Sequence, residues 1–234
     1  MNIQDAKVLV TGGGSGLGYE TAKLLISKGA KVVICGRKKE VLDKAAKELG
    51  ATAIVADVSK EADVIKLVAE AQKALGGLNV LINNAGFGTF APLLEIKVED
   101  FEKVLDTNVI GAMLCARESA KIFVAQSSGN IINISSTAGR SGFAGGSVYT
   151  ASKFALSALT ECWRAELRKH NIRVMQVNPS EVQTDFFIAA GGAPRPFNES
   201  KLQATEIAHT ILSMLEMNDR GFITEATVFA TNPK

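Results

Sequence analysis

The stretch Val8-Leu9-Val10-Thr11-Gly12-Gly13-Gly14-Ser15-Gly16-Leu17-Gly18 runs an apolar strand directly into a glycine-rich turn, and the residues that follow read as a helix over 16–28. A strand, a glycine turn and a helix in that order outline a dinucleotide site. Gly12 permits the tight turn, Gly16 lets the backbone approach a phosphate, and Gly18 lets the helix pack close to the strand. Gly14, Ser15 and Leu17 complete the turn. The helix N-terminus then offers unpaired N–H groups and the positive end of its dipole to the pyrophosphate. Glycines alone would mark no more than a loop; the flanking strand and helix give them this meaning.

Outward from this turn, the chain alternates strand and helix. Strands are predicted over 7–10, 31–35, 51–56, 80–82, 130–135, 172–177 and 226–230. Helices are predicted over 16–28, 38–49, 60–75, 98–124, 148–168 and 205–215, with Ser59 as the cap of the third. Gly29 and Gly50 close the first two helices. The strands are short apolar runs, the pattern of strands buried on both faces. Repeated β-α alternation predicts an α/β fold: a single doubly wound parallel sheet of about seven strands, with helices on both faces and right-handed crossovers. Nothing divides the chain, so residues 1–234 are expected to form one dinucleotide-binding domain. The irregular stretch 179–200, with Gly191, Gly192, Pro194 and Pro196, follows the sixth strand at the carboxyl edge where such sheets bind ligands. It reads as a substrate lid over about 180–200 or as a surface insertion.

Composition excludes several classes. Of 234 residues 26 are basic and 24 acidic, and the net charge of +2, without a basic stripe, does not favour a nucleic-acid partner. No apolar run approaches the ~20 residues of a membrane helix, and no signal peptide precedes the first strand. Cys35, Cys115 and Cys162 are scattered and odd in number, which points to reduced thiols and a cytoplasmic protein. No Cys/His/carboxylate cluster has metal-ligand spacing, so no metal is expected. His170 and His209 read as structural or surface residues, and no G-x-S-x-G elbow marks a hydrolase.

Mid-chain, Tyr149-Thr150-Ala151-Ser152-Lys153 places a phenol and an amine four residues apart, on one face of a helix. A nearby ammonium favours phenolate and lowers the phenol's pKa toward working pH. Ser136, at the end of the fifth strand, can bond the same substrate oxygen. At the end of the second strand stands Cys35-Gly36-Arg37-Lys38-Lys39 in place of the acidic residue that selects NAD. These cations either meet a 2′-phosphate, which favours NADP, or start a solvated helix. Together the motifs predict an enzyme that moves a hydride between a nicotinamide cofactor and a carbonyl or alcohol. An NAD-dependent alcohol dehydrogenase and a non-catalytic nucleotide sensor are the alternatives.

The chain resembles a classical short-chain dehydrogenase/reductase over essentially its whole length. The resemblance rests on the Thr-Gly-x-x-x-Gly-x-Gly turn at 11–18, the Asn-Asn-Ala-Gly at 83–86, Asn108 in the long helix, Ser136, and the YxxxK pair. It implies that Tyr149 is the acid/base, that Ser136 polarises the carbonyl, and that Lys153 tunes the tyrosine and binds the nicotinamide ribose. It further implies that Asn108 holds a water linking Lys153 to solvent. Asp57 would meet the adenine, although its position also fits a loop cap. Asn84, Ala85 and Gly86 would line the cofactor groove, with Pro179, Val182 and Thr184 near the nicotinamide and phosphates. The general pattern is nearest to 3-oxoacyl-[acyl-carrier-protein] reductases, but Gln126-Ser127-Ser128 replaces the basic residues those tend to carry, and Ser180 replaces a usual glycine. Substrates are expected to be small or medium apolar carbonyl compounds, with Phe87, Phe143, Phe186 and Phe187 as pocket or core. Ala151, Ala155, Ala158, Cys162 and Ala165 form a small-residue stripe on the far side of the tyrosine's helix. In such relatives that helix commonly builds a subunit interface, so a homodimer or homotetramer is expected, with packing inside the monomer as the alternative.

Overall fold

Seven strands lie parallel in the order β3-β2-β1-β4-β5-β6-β7. They are β1 (Lys7–Thr11), β2 (Lys31–Gly36), β3 (Thr52–Val55), β4 (Val80–Asn83), β5 (Gly129–Ile134), β6 (Ile172–Pro179) and β7 (Glu225–Val228). The computed structural model describes residues 1–193 and 196–232. Pro194 of the expected lid lies outside the described residues, as do Pro233 and Lys234. The strand order reverses between β1 and β4, which opens a crevice at the carboxyl ends of these two strands. The expected doubly wound α/β sheet is therefore present.

Although the strands read as continuous apolar runs, their side chains divide by alternation between two cores. Val8, Val10, Val32 and Ile34 face one core with α1 (Gly16–Ser27), α2 (Lys39–Leu49) and α8 (Ala204–Glu216). Leu9, Val33 and Cys35 face the other, with α3 (Glu61–Leu75), α5 (Ala112–Ala125) and the partly buried Trp163 and Leu167 of α6 (Ser147–Leu167). Fully buried side chains such as Leu25 and Leu67 each stabilise the fold by about 2 kcal/mol. Gly50 and Gly76 end α2 and α3 in the left-handed conformation that closes a helix without a Cβ penalty.

One polar row crosses this apolar sheet. Asn83, Asn133, Gln176 and Glu225 are register partners on β4, β5, β6 and β7. Asn83 Nδ2 donates to Asn133 Oδ1 (3.0 Å), Asn133 Nδ2 to Thr160 Oγ1 (2.8 Å), and Gln176 Nε2 to Ser157 Oγ (3.0 Å). Thr160 and Ser157 belong to the buried face of α6, so the row ties that helix to the sheet.

Three expectations are corrected. The helix predicted over 98–124 is α4 (Val98–Leu105), a π-helical segment (Asp106–Gly111) and α5 in one continuous run. Such a bulge admits one extra residue per turn and commonly marks a functional site. Ser59 does not cap α3: the helix begins at Glu61 with Lys60 before it, and the Ser59 hydroxyl donates instead to Asp57 Oδ1 (2.8 Å). The stretch after β6 contains a short helix, α7 (Phe186–Ala189), which four residues are too few to reveal by periodicity. Along the small-residue stripe of α6, Ala151 and Ala155 are half-buried, while Ala158, Cys162 and Ala165 are exposed.

Candidate active site

Thr11 ends β1 and fastens the glycine turn to the segment after β4. Its Oγ1 accepts from the backbone N–H of Asn84 and of Ala85, both at 3.0 Å, and donates to Ile82 O (3.3 Å). Asn84 Nδ2 returns the connection, donating to Thr11 O (2.9 Å) and Gly12 O (3.1 Å). The Asn84 side chain thus holds the turn, and the surface it leaves toward the crevice is backbone. Gly12 and Gly16 take φ of +65° and +54°, values that L side chains rarely adopt. A Cβ on Gly18 would strike Gly12 O and stand 2.5 Å from Asn84 Nδ2, so only glycine lets α1 approach the strand this closely. Ser15, exposed, precedes α1 with no side-chain capping bond. Gly14 borders Val41 and Leu42 of α2, and Leu17 turns back to the first core.

Around this turn the remaining predicted residues converge unequally. Arg37 is exposed just past β2, and neither it nor Lys38 makes an ion pair among the described residues, while Lys39 pairs with Asp43. Asp57, half-buried after β3, accepts from Ser59 N (3.1 Å) and Ser59 Oγ through one carboxylate oxygen. That is the loop-cap role the sequence left open. Thr184 approaches from the far side, 3.7 Å from where a Gly16 Cβ would stand. Val182 packs on the first core and bridges to Leu202, and Pro179 O accepts from Ser136 Oγ (3.4 Å).

The second cluster lies at the carboxyl ends of β4 and β5. Ser136 follows β5, and its Oγ also accepts from Ala138 N (3.1 Å), which fixes the hydroxyl. It is the side chain that acts on the phenol of Tyr149, near the start of α6. One turn on, buried Lys153 places Nζ 5.6 Å from the centroid of the Tyr149 ring and donates to Ile134 O (2.8 Å). Burial pushes the Tyr149 phenol up to about 12, with the Ser136 hydroxyl opposing it. Burial likewise lowers Lys153 to about 8. The sequence expected Lys153 to pull the phenol down. Desolvation outweighs that effect here, and Ser136 is the group that lowers it.

Asn108 sits buried in the π segment. Its Oδ1 accepts from Phe87 N (3.0 Å), and its Nδ2 donates to Phe87 O (2.9 Å) and Ser152 Oγ (3.0 Å). It stitches the loop after β4 to α6, and a Cβ on Gly86 would stand 3.0 Å from its Oδ1. Ser152, which the sequence did not single out, donates to Tyr149 O (2.7 Å) and so completes that link. Phe90 was also missed. Its ring lies against Tyr149 (centroids 5.8 Å), Phe143 (6.0 Å) and Phe187 (5.7 Å), and Phe186 meets Tyr149 at 5.4 Å. No spacing rule links residue 90 to 149; only the fold does.

A family model described as short chain dehydrogenase matches residues 6–192. The chain belongs to the short-chain dehydrogenase family. An uncharacterized oxidoreductase of Staphylococcus aureus is 32% identical over 229 residues, 97% of each chain. Among solved structures, the closed form of a serine dehydrogenase complexed with NADP+ superposes with TM-score 0.88 at 28% identity, covering 94% of this chain and 93% of that one. A putative β-ketoacyl-ACP reductase gives TM-score 0.83 at 33% identity over 95% of each chain. As a short-chain dehydrogenase the protein is an oxidoreductase, and the acyl-carrier resemblance is no stronger than its general pattern. Among the described residues no group of His, Cys, Asp and Glu could hold a metal ion, and no helix is long and apolar enough to cross a membrane.

Proposed function

We propose that this short-chain dehydrogenase transfers a hydride between NADP(H) and a small or medium apolar carbonyl or alcohol, with Tyr149 as the acid/base. The observation that carries the reading is the convergence of Ser136, Tyr149 and the buried Lys153 at the carboxyl edge of the sheet, with the Lys153 ammonium 5.6 Å from the centroid of the Tyr149 ring. The nucleotide fits the turn, where Gly12 and Gly16 take positive φ and Gly18 brings α1 against Gly12 O, with Gly14, Ser15 and Leu17 around the α1 N-terminus. Arg37 and Lys38, exposed and without an ion pair among the described residues, supply cations for a 2′-phosphate, and an NADP+ complex of a superposable relative supports the same choice. Ala85, Gly86, Pro179, Val182 and Thr184 border its groove, while Asp57 keeps one carboxylate oxygen for the adenine side. Bound there, the nucleotide supplies the hydride donor or acceptor.

The chain's own groups handle the proton. A phenol held up at about 12 stays protonated at neutral pH, so Tyr149 is ready to donate to a substrate oxygen in reduction. Ser136 offers a second bond to that oxygen, and Lys153 places a positive charge below the phenolate that forms. Asn108 holds the loop and α6 in register, and the family resemblance supports the water-relay role implied for it. Stretch 180–200, with α7 against Tyr149, serves as the lid. The exposed small-residue face of α6 supports assembly as a homodimer or homotetramer, which sedimentation at micromolar concentration tests. The protein is read as cytoplasmic, with its thiols reduced.

Titration with NADPH and NADH, followed by a panel of ketones and aldehydes, tests the chemistry. NADPH is expected to bind more tightly. Tyr149→Phe is expected to remove nearly all turnover while leaving NADPH affinity within about threefold; near-normal turnover would overturn the mechanism.

A further inference from the structure

Four phenylalanines form one cluster with the Tyr149 ring, two of them (Phe90 and Phe186) against it and two (Phe143 and Phe187) against Phe90, and the backbone is shaped to hold them. Phe90 comes from the loop after β4, Phe143 from the loop before α6, and Phe186 and Phe187 from α7. The first two loops are joined by Ala91 N donating to Gly145 O (2.9 Å). A Cβ on Gly88 would stand 3.0 Å from the Phe90 ring and 3.3 Å from the Phe186 ring, and one on Gly146 would stand 2.5 Å from the Phe143 ring. The rings therefore occupy volume that side chains at 88 and 146 would take. Phe90 is the hub, meeting Tyr149 edge-on at 63° and Phe187 nearly parallel at 18°.

The parallel pair is informative. With centroids 5.7 Å apart, Phe90 and Phe187 are in direct contact, and no third ring fits between them. Any flat group that uses the face of Phe90 on which Phe187 lies must displace Phe187, and a planar ring replaces it at little loss of contact. A saturated ring is thicker and has no π face, so it replaces it poorly. Among the described residues the Tyr149 surround presents Phe rings as its ring contacts, and Lys153 is the cation beside it. Arg140 is engaged with Glu225.

We infer that Phe90 is the floor of an aromatic subsite, that substrates carry an aryl group beside the reacting carbon, and that Phe187 is a self-supplied occupant which the aryl group displaces. The inference rests on the proposed carbonyl–alcohol chemistry for its reacting carbon, yet the subsite is read by binding alone.

Calorimetric titration of the full chain with 1-phenylethanol and 1-cyclohexylethanol, NADPH present so that no turnover occurs, tests it. The phenyl alcohol is expected to bind about three- to tenfold more tightly, the range of a single aromatic pair. Phe90→Leu is expected to erase that ratio. Phe187→Ala is expected to tighten phenyl binding, because the competing ring is gone. Opposite signs for the two variants separate displacement from general damage, and the wild-type ratio needs no variant. Equal binding of the two alcohols, or Phe187→Ala weakening the phenyl alcohol as Phe90→Leu does, would overturn the inference. Tyr149→Phe retains the ring contacts and is expected to keep the binding ratio. Its turnover therefore reports on the proposed chemistry separately.

Discussion

Lys153→Met is expected to make the protein more stable while disabling it. Lys153 is 5% exposed, and burial lowers it from its ordinary 10.5 to about 8. Keeping it charged at pH 7 therefore costs about 3 kcal/mol relative to the unfolded chain. Methionine fills similar volume without the charge, and loss of the Nζ–Ile134 O bond returns about 1 kcal/mol. A net gain of about 2 kcal/mol remains, or roughly 4–8 °C in Tm for a chain of this size. The sign with pH is distinctive. Below pH 8 the ammonium is charged in both states and the full penalty applies. Between about 8 and 10.5 the folded protein has released a proton that the unfolded chain still holds, so wild-type stability rises with pH. Above 10 the raised Tyr149 acts in the opposite direction, because the unfolded phenol ionises first. Urea melts of both proteins at pH 7 and pH 9.5 read the difference, which should shrink at the higher pH. A variant less stable than wild type at pH 7, or a gain independent of pH, would refute the reasoning.

Further outcomes follow from the same geometry. Arg37→Glu should weaken NADPH by about 10- to 100-fold, the worth of one charged hydrogen bond, and leave NADH nearly unchanged in a fluorescence titration. Gly18→Ala, which drives a methyl into Gly12 O, should destabilise the fold by about 2–3 kcal/mol and abolish the stabilisation by NADPH in a thermal melt. Asn108→Ala leaves Phe87 N and O without their buried partners and should cost about 2–4 kcal/mol in a denaturant melt, with kcat falling further than nucleotide affinity.

Much of this was legible in order of residues, because the informative groups are local. Strand and glycines are contiguous at 8–18, and Tyr149 and Lys153 share one helical turn, so each pair can be read without the fold. What escaped is non-local or short. The π segment adds its extra residue inside a run whose apolar spacing still reads as helix, so Asn108 was found by resemblance while its bulge was not. Ser59 stands one residue too early to cap α3, within the error of any boundary drawn from sequence. Phe90 lies 59 positions from Tyr149, and α7 makes barely one turn. Asn84 matched its motif, but its side chain is directed back at Thr11 and Gly12, a direction that spacing cannot supply.

The polar row across β4 to β7 bears on how the chain finds its alignment. Strands built only of valine, leucine and isoleucine are interchangeable under a slip of two residues, since every side chain keeps its face. A slip of β5 by two would bring Asn133 opposite an aliphatic neighbour and break its bonds with Asn83 and Thr160, at about 1–3 kcal/mol for each stranded group. Sliding β6 parts Gln176 from Ser157 on α6. The polar row thus acts as an index mark: four otherwise similar ribbons have one height at which they agree, and near-miss pairings are penalised while the sheet is assembling.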